Sequence, residues 1–291
     1  MRIAGIDIGG TSIKLGVFNR SGDVLDFVEY DTESDKGGTY IIQNLIKQIE
    51  QFNQIDAIGI STAGQVDRHN GIIVQESANI PQTSGLQIKR ILEDHFNVPV
   101  KVENDVNAAA LGENHFGVGK DYNDFLFLAY GTGIGGGIVV NSELYYGRNG
   151  YAAEFGHMIT HGNGLSCKCG LKGCYETYAS TTSLLREAQK IDSDITNGRI
   201  IFERFYENDN QIKEVIDKWV EEIAIGLTSI IHIFNPTTIV IGGGIMEQEV
   251  LVHMISEKVN EMVLESFAGV NIVKASLGNR AGMLGAVSLH V

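Results

Sequence analysis

Ile3-Ala-Gly-Ile-Asp7-Ile-Gly9-Gly10-Thr11-Ser12-Ile13-Lys14-Leu-Gly-Val-Phe18 decides the fold. Residues 2–8 read as an apolar strand with one carboxylate, Asp7, near its end; Gly9-Gly10-Thr11 turns the chain, and a second strand covers 13–18. Asn19-Arg-Ser-Gly22 then turns into a third strand near 24–29. A strand that returns on itself is an antiparallel meander, which excludes the strand-then-helix opening of a dinucleotide-binding fold. The pattern recurs: Phe125–Tyr130 is an apolar strand running into Gly131-Thr132-Gly133-Ile-Gly135-Gly136-Gly137, with a return strand at 138–141. Between the copies come a helical pattern over 40–52, with Ile41, Ile42, Leu45, Ile46 and Ile49 on one face, and a buried strand at 57–61. A helix at 85–96, an extended segment at 98–103 and an alanine-rich helix at 105–116 follow. After the second copy come helices near 180–190 and 211–234, a strand at 237–241 ending in Gly242-Gly243-Gly244, a helix over 247–263, a strand near 270–274 and a short apolar helix at 281–289. Strands and helices alternating on a meander predict a mixed α/β sheet. The repeat alone sets a boundary: 1–117, joined by the C-terminal helix at about 280–291, and 118–279.

Each glycine turn can bring backbone N–H groups and one threonine hydroxyl, Thr11 or Thr132, against phosphate oxygens with no side chain in the way. Alone, either turn could merely tighten a hairpin. The pair, with a third glycine run at 242–244, predicts two turns clasping a triphosphate, and Asp7 is placed to hold Mg2+. The 35 glycines, where about 20 would be average for this length, imply many close backbone approaches.

Glu103-Asn104-Asp105-Val-Asn107 ends a strand and starts a helix, so Asp105 is either an N-cap or a general base for a substrate hydroxyl. Polyols are recognised by carboxylates, amides and imidazoles, and Asn79, Asn104, Asp105, Glu154, His157 and Glu176 form such a set.

All three cysteines, Cys167, Cys169 and Cys174, fall in one short run downstream of His157. Three thiolates and an imidazole make a closed tetrahedral Zn2+ site, with Gly164, Gly170 and Gly173 allowing the tight fold; His161 is the substitute ligand. The alternative is three reduced thiols clustered by chance. An odd cysteine count and no secretory signal argue for a reducing compartment, the cytoplasm. The net charge of −14 disfavours a nucleic-acid partner, and no apolar run approaches the roughly 18 residues a membrane span needs.

Asp7-Ile-Gly9-Gly10-Thr11, Glu103-Asn104-Asp105-Val-Asn107, Gly131-Thr132-Gly133-Ile-Gly135-Gly136-Gly137, Glu154-Phe-Gly156-His157 and Cys167-Lys-Cys169-Gly170-Leu-Lys-Gly173-Cys174-Tyr-Glu176 together resemble the ROK family of repressors, open reading frames and sugar kinases, in order and over essentially the whole chain. The resemblance implies the actin-like ATPase fold, a duplicated ribonuclease-H-like α/β fold with two lobes around a central cleft. It implies ATP-dependent phosphorylation of a hexose or N-acetylhexosamine at the 6-hydroxyl, of the glucose or N-acetylmannosamine type. A β-glucoside kinase is the alternative, as is a sugar-binding regulator without a DNA-binding domain, since six residues precede Asp7. By the same resemblance Asp105 is the catalytic base, and Gly64, Asn79, Asn104, Glu154, His157 and Glu176 contact sugar. Asp7, Gly9, Gly10, Thr11, Lys14, Gly131, Thr132 and Gly133 lie at the phosphates, and Gly243 and Gly244 at the nucleoside. A structural zinc on His157, Cys167, Cys169 and Cys174, and a homodimer, are also implied. Three departures stand out. Ser12 replaces a common lysine, with Lys14 on the same strand face; Ala63-Gly64 replaces Pro-Gly; and no aromatic follows Asn79-Ile-Pro81. The choice of sugar is therefore not implied.

Overall fold

The computed structural model describes residues 1–77 and 79–291. In chain order, β1 (Ile3–Ile8), β2 (Ser12–Phe18) and β3 (Val24–Asp31) form the meander, followed by α1 (Gly38–Ile49) and β4 (Ala57–Thr62). A small hairpin, β5 (Gln65–Asp67) and β6 (Ile72–Gln75), precedes α2 (Ile88–Phe96), β7 (Val100–Asn104) and α3 (Asp105–Phe116). The second copy is β8 (Phe125–Tyr130), β9 (Ile134–Val140) and β10 (Glu143–Leu144). It continues with α4 (Glu176–Ala179), α5 (Thr181–Gln189), α6 (Gly198–Tyr206), α7 (Asn210–Phe234), β11 (Thr238–Gly242), α8 (Glu249–Met262), β12 (Asn271–Lys274) and α9 (Ala281–Ser288).

The two larger sheets have the same plan, β3-β2-β1-β4-β7 and β10-β9-β8-β11-β12. In the first, β1 runs antiparallel to β2 and parallel to β4, and β4 is parallel to β7. In the second, β8, β11 and β12 are parallel. The chain divides into two compact units, Met1–Asn123 with Val139–Ala152 and Asn279–Val291, and Asp124–Ile138 with Ala153–Gly278. The first division thus comes after 123, where the repeat alone placed it after 117. The stretch 139–152 returns to the first unit because Asn114 Nδ2 donates to the Ser142 carbonyl (2.8 Å) and Tyr146 Oη to Glu103 Oε2 (3.1 Å).

Alternation along the first sheet sorts its residues to two faces. Ala4, Ile6, Ile8, Ile58 and Ile60 meet α1 through Ile41, Ile42, Leu45 and Ile49. Gly5, Asp7, Gly59 and Ser61 face α9 instead. A Cβ on Gly59 would lie 1.9 Å from the Ala286 carbonyl oxygen, and one on Gly285 1.6 Å from that of Ala108. So part of the glycine surplus serves close packing of α9 on the sheet and on α3. In the second unit α7, capped by Asp209 accepting from the Gln211 and Ile212 N–H groups, buries Ile212, Ile216, Val220, Ile223, Leu227 and Ile230. Each such side chain contributes about 2 kcal/mol of hydrophobic stabilisation. Among the described residues, no helix is long and apolar enough to cross a membrane.

Several elements differ from the sequence reading. The second glycine turn is short, because β9 already starts at Ile134. Gly136 is a packing position: a Cβ there would sit 2.3 Å from the Phe155 ring and 2.5 Å from the Ala153 carbonyl. The β5–β6 hairpin and α6 are additional elements.

Candidate active site and metal centre

Strand register builds the first half of the site. Parallel pairing sets Asp7 beside Ser61 and Ser61 beside Glu103 at the carboxyl ends of β1, β4 and β7, the edge where open α/β sheets take ligands. Ser61 Oγ donates to Asp7 Oδ1 at 2.7 Å. Burial still pushes the Asp7 carboxyl up, against that bond and the charge of Lys14, its cross-strand partner. The Lys14 Nζ itself lies 4.0 Å from Glu29.

Asn104, not Asp105, caps α3. Its Oδ1 accepts from the N–H groups of Val106 (3.0 Å) and Asn107 (3.2 Å), while Nδ2 donates to the Gly64 carbonyl (3.0 Å) and to Asp105 Oδ1 (2.9 Å). Val106 N–H donates to the same Asp105 oxygen at 2.9 Å. Asp105 is therefore held at the first helical position with its carboxylate free of capping duty. Burial first, and then the neighbouring Asp7 charge, push it up to about 6. Behind it, buried Glu103 accepts from Asn104 N–H (3.0 Å), Asn107 Nδ2 (3.0 Å) and Tyr146 Oη (3.1 Å), with the Arg68 guanidinium 3.7 Å from the Tyr146 ring centre.

The first glycine turn is tied down by Gly9 N–H to the Ser12 carbonyl (3.1 Å), Thr32 Oγ1 to the Gly9 carbonyl (2.6 Å) and Thr32 N–H to the Thr11 carbonyl (2.9 Å). A Cβ on Gly10 would come within 2.8 Å of the Asn79 Cβ, so Asn79 packs directly on the turn. Asp7, Gly9, Gly10, Thr11, Lys14, Gly64, Asn79, Asn104 and Asp105 thus all belong to the first unit.

The remaining residues gather in the second unit. Nδ1 or Nε2 of His157 and the sulfurs of Cys167, Cys169 and Cys174 lie within 4.8 Å of one another. Cys169 and Cys174 sulfurs are 3.6 Å apart, and Cys167 Sγ is 3.9 Å from His157 Nδ1. Two sulfurs at zinc bonding distance around a tetrahedral centre would be about 3.8 Å apart, so the donor set fits Zn2+. Burial pushes the Cys167 thiol up to about 12, so an ion is what would hold it as a thiolate. His161 is turned to other work: its ring stacks on Tyr178 (3.9 Å) and its Nε2 faces Glu222 (3.5 Å). The His157 Nε2 lies 4.0 Å from Glu154. Glu176 links the knuckle to the second glycine turn, with Oε1 3.1 Å from Cys167 Sγ and Oε2 accepting from Ile134 N–H at 3.4 Å.

That turn is closed by Gly131 N–H to the Gly133 carbonyl (2.9 Å) and braced by α5, through Thr181 N–H to the Gly131 carbonyl (2.9 Å) and Thr182 Oγ1 to that of Thr132 (2.8 Å). It opens on a cavity of about 620 Å3 lined by residues that include Thr132, Leu185, Arg199, Gly244, Ile245 and Gln248. An added Cβ at Gly131 or Gly244 would meet open space, whereas at Gly243 (φ 105°) it would strike the Tyr130 carbonyl at 2.1 Å.

The ROK family model matches residues 3–291. The chain belongs to the ROK family. A glucokinase of Thermotoga maritima is 34% identical over 308 residues, covering 99% of this chain and 97% of that protein. The crystal structure of a ROK family glucokinase from Streptomyces griseus, in complex with glucose and AMPPNP, is 30% identical with a TM-score of 0.87, covering 99% of both chains. A xylose repressor of Bacillus spizizenii is 33% identical over 236 residues, which are 80% of this chain and 60% of the repressor. This ROK protein accordingly has the actin-like ATPase fold. The sequence reading assigned no role to Ser61, Glu103, Tyr146 or Arg199 of the ROK chain. Glu103 carried a visible signal, a carboxylate next to Asn104-Asp105; Ser61 became visible only through strand register.

Proposed function

We propose that this chain is an ATP-dependent sugar kinase that phosphorylates the 6-hydroxyl of a hexose or N-acetylhexosamine, of the glucose or N-acetylmannosamine type, in the cytoplasm. The observation that carries the reading is Asp105, a carboxylate raised to about 6 and fixed by Asn104 and Val106 at the head of α3. Such a group is mostly ionised at neutral pH and basic enough to accept a hydroxyl proton. Asp105 takes the proton of the sugar hydroxyl as its oxygen attacks the γ-phosphorus in line, and ADP leaves. Asn104 and Asn79 orient neighbouring hydroxyls, and Gly64 keeps Asn104 in place through its carbonyl. In the second unit Glu154, His157 and Glu176 read the sugar from the zinc-held segment. The N–H groups at Gly9–Thr11 and Gly131–Gly133 hold phosphate oxygens, and Gly243–Gly244 line the nucleoside side. Bound at Asp7, Mg2+ would neutralise phosphate charge. Four protein ligands leave the zinc no open position, so its part is to hold the segment in shape.

The likeness to a xylose repressor favours a second reading, a sugar-binding regulator. Asp105 argues against it, because sensing needs no base. A coupled assay for ADP release against glucose, mannose, N-acetylmannosamine, N-acetylglucosamine and β-glucosides decides the matter. Turnover with one hexose, and product phosphorylated at oxygen 6, is expected; sugar binding without turnover would leave the regulator.

A further inference from the structure

The cavity at the second glycine turn contains one guanidinium to which the proposed chemistry gives no task. Arg199 is the second residue of α6, its side chain is exposed, and among the described residues it makes no hydrogen bond, ion pair or cation–π contact. The position of α6 says which end of the cavity Arg199 serves. A Cβ on Gly198 would come 2.8 Å from Ile245 Cδ1, and at the far end of the helix Tyr206 Oη donates to Gln248 Oε1 at 3.2 Å. Thus α6 runs along the Gly244–Gln248 segment, whereas the Gly131–Gly133 turn is braced by α5. The Gly244–Gln248 segment offers apolar Ile245 and the Gln248 amide, and Leu185 of α5 also lines the cavity, a lining that suits a flat heteroaromatic ring with polar edges better than a phosphate. A guanidinium is planar and weakly hydrated, so a free one at the rim of such a pocket stacks on π faces.

We propose that Arg199 is a nucleotide-contacting residue that stacks its guanidinium plane on the base of the phosphoryl donor, Leu185 and Ile245 forming the rest of the base subsite. The inference rests on the reading of this cavity as the donor site. Because Arg199 makes no hydrogen bond, ion pair or cation–π contact among the described residues, its replacement should leave the fold intact.

Calorimetric titration of the full chain with adenosine and with a non-hydrolysable ATP analogue tests it, on the natural protein and on Arg199→Ala, Arg199→Lys and Arg199→Trp. Loss of the stack should weaken adenosine and the ATP analogue by the same factor, roughly 3- to 30-fold, with the effect carried in KM for ATP and not in KM for the sugar. Trp should restore binding and Lys should not, since only the former offers a plane. A loss confined to the ATP analogue and rescued by Lys would overturn the proposal in favour of a phosphate contact. Unchanged binding by Arg199→Ala while the natural protein binds normally would remove Arg199 from the site. A natural protein that binds neither probe would overturn the donor-site reading and this inference with it.

Discussion

Two residues before its first glycine, the turn of the first unit has Asp7 and that of the second has Ala129. Both turns join the first two strands of a sheet of the same plan, and both are tied by short backbone bonds. Around the first, carboxylates crowd: Asp7 and Asp105 are both pushed up, largely by burial, with the charge of Asp7 adding to the effect on Asp105. Around the second, Glu176 touches the turn through Ile134 N–H, and its other oxygen is at the zinc knuckle. A duplicated scaffold thus supplies two glycine turns of the same plan, and what the strand ends carry tells them apart. On the proposed function, the proton is handled in one unit, and recognition is anchored to a metal in the other.

The largest expected effect comes from breaking the first half alone. Asp105→Asn keeps an oxygen for the Asn104 and Val106 donors but cannot accept a proton. It should lower kcat at least ~100-fold and leave the sugar Kd, measured by calorimetry, within about threefold. In the natural protein kcat/KM should fall tenfold per pH unit below about 6, as the base becomes protonated, and be flat above it. Near-normal turnover of the variant, or a profile without that acidic limb, would remove Asp105 from the role of base.

Disturbing the second half should give the opposite split. Cys169→Ser takes one ligand from the knuckle without touching Asp105, so KM for the sugar should rise about tenfold, the low end for lost metal-site support, while kcat changes less. Elemental analysis of freshly purified protein should find about one zinc per chain, lost in the variant together with thermal stability. Natural protein free of zinc would end the structural-metal account.

Legibility in the sequence followed the range of the interactions. Both strand–turn–strand copies, the Cys3His cluster and the helix start at Asp105 are local patterns of a few residues, and each is present, although the return strand of the second copy starts at Ile134 and not at 138. The sheet register that sets Ser61 against Asp7 is a parallel pairing between distant strands, which no local pattern encodes. The helix Gly198–Tyr206 was missed for another reason: Ile200, Ile201, Phe202, Phe205 and Tyr206 give it the β-branched and aromatic content of a strand. The close backbone approaches that the glycine surplus implies include packing inside the fold, since Gly59, Gly136 and Gly285 lie against neighbouring backbone.

The smallest effect concerns what the charged first half costs the fold. A carboxyl at 3.8 in its ordinary state and about 6 here is disfavoured as an anion by the folded protein. The group is neutral in both states below 3.8 and costs nothing there; the cost grows as pH rises and reaches its full size above 6. Raising the carboxyl that far corresponds to at most about 3 kcal/mol, and solvent relaxation at a half-buried site leaves about 1–2. Asparagine cannot ionise and keeps the same local bonds. Asp105→Asn should therefore melt close to the natural protein at about pH 4 and a few degrees above it at about pH 8, read by thermal scans of the ligand-free chain. A gap of equal size at both pH values would mean that packing, not charge, sets it. A variant less stable at the higher pH would mean that the folded protein favours the Asp105 anion, and the argument for a raised base would fail together with the contrast between the two units.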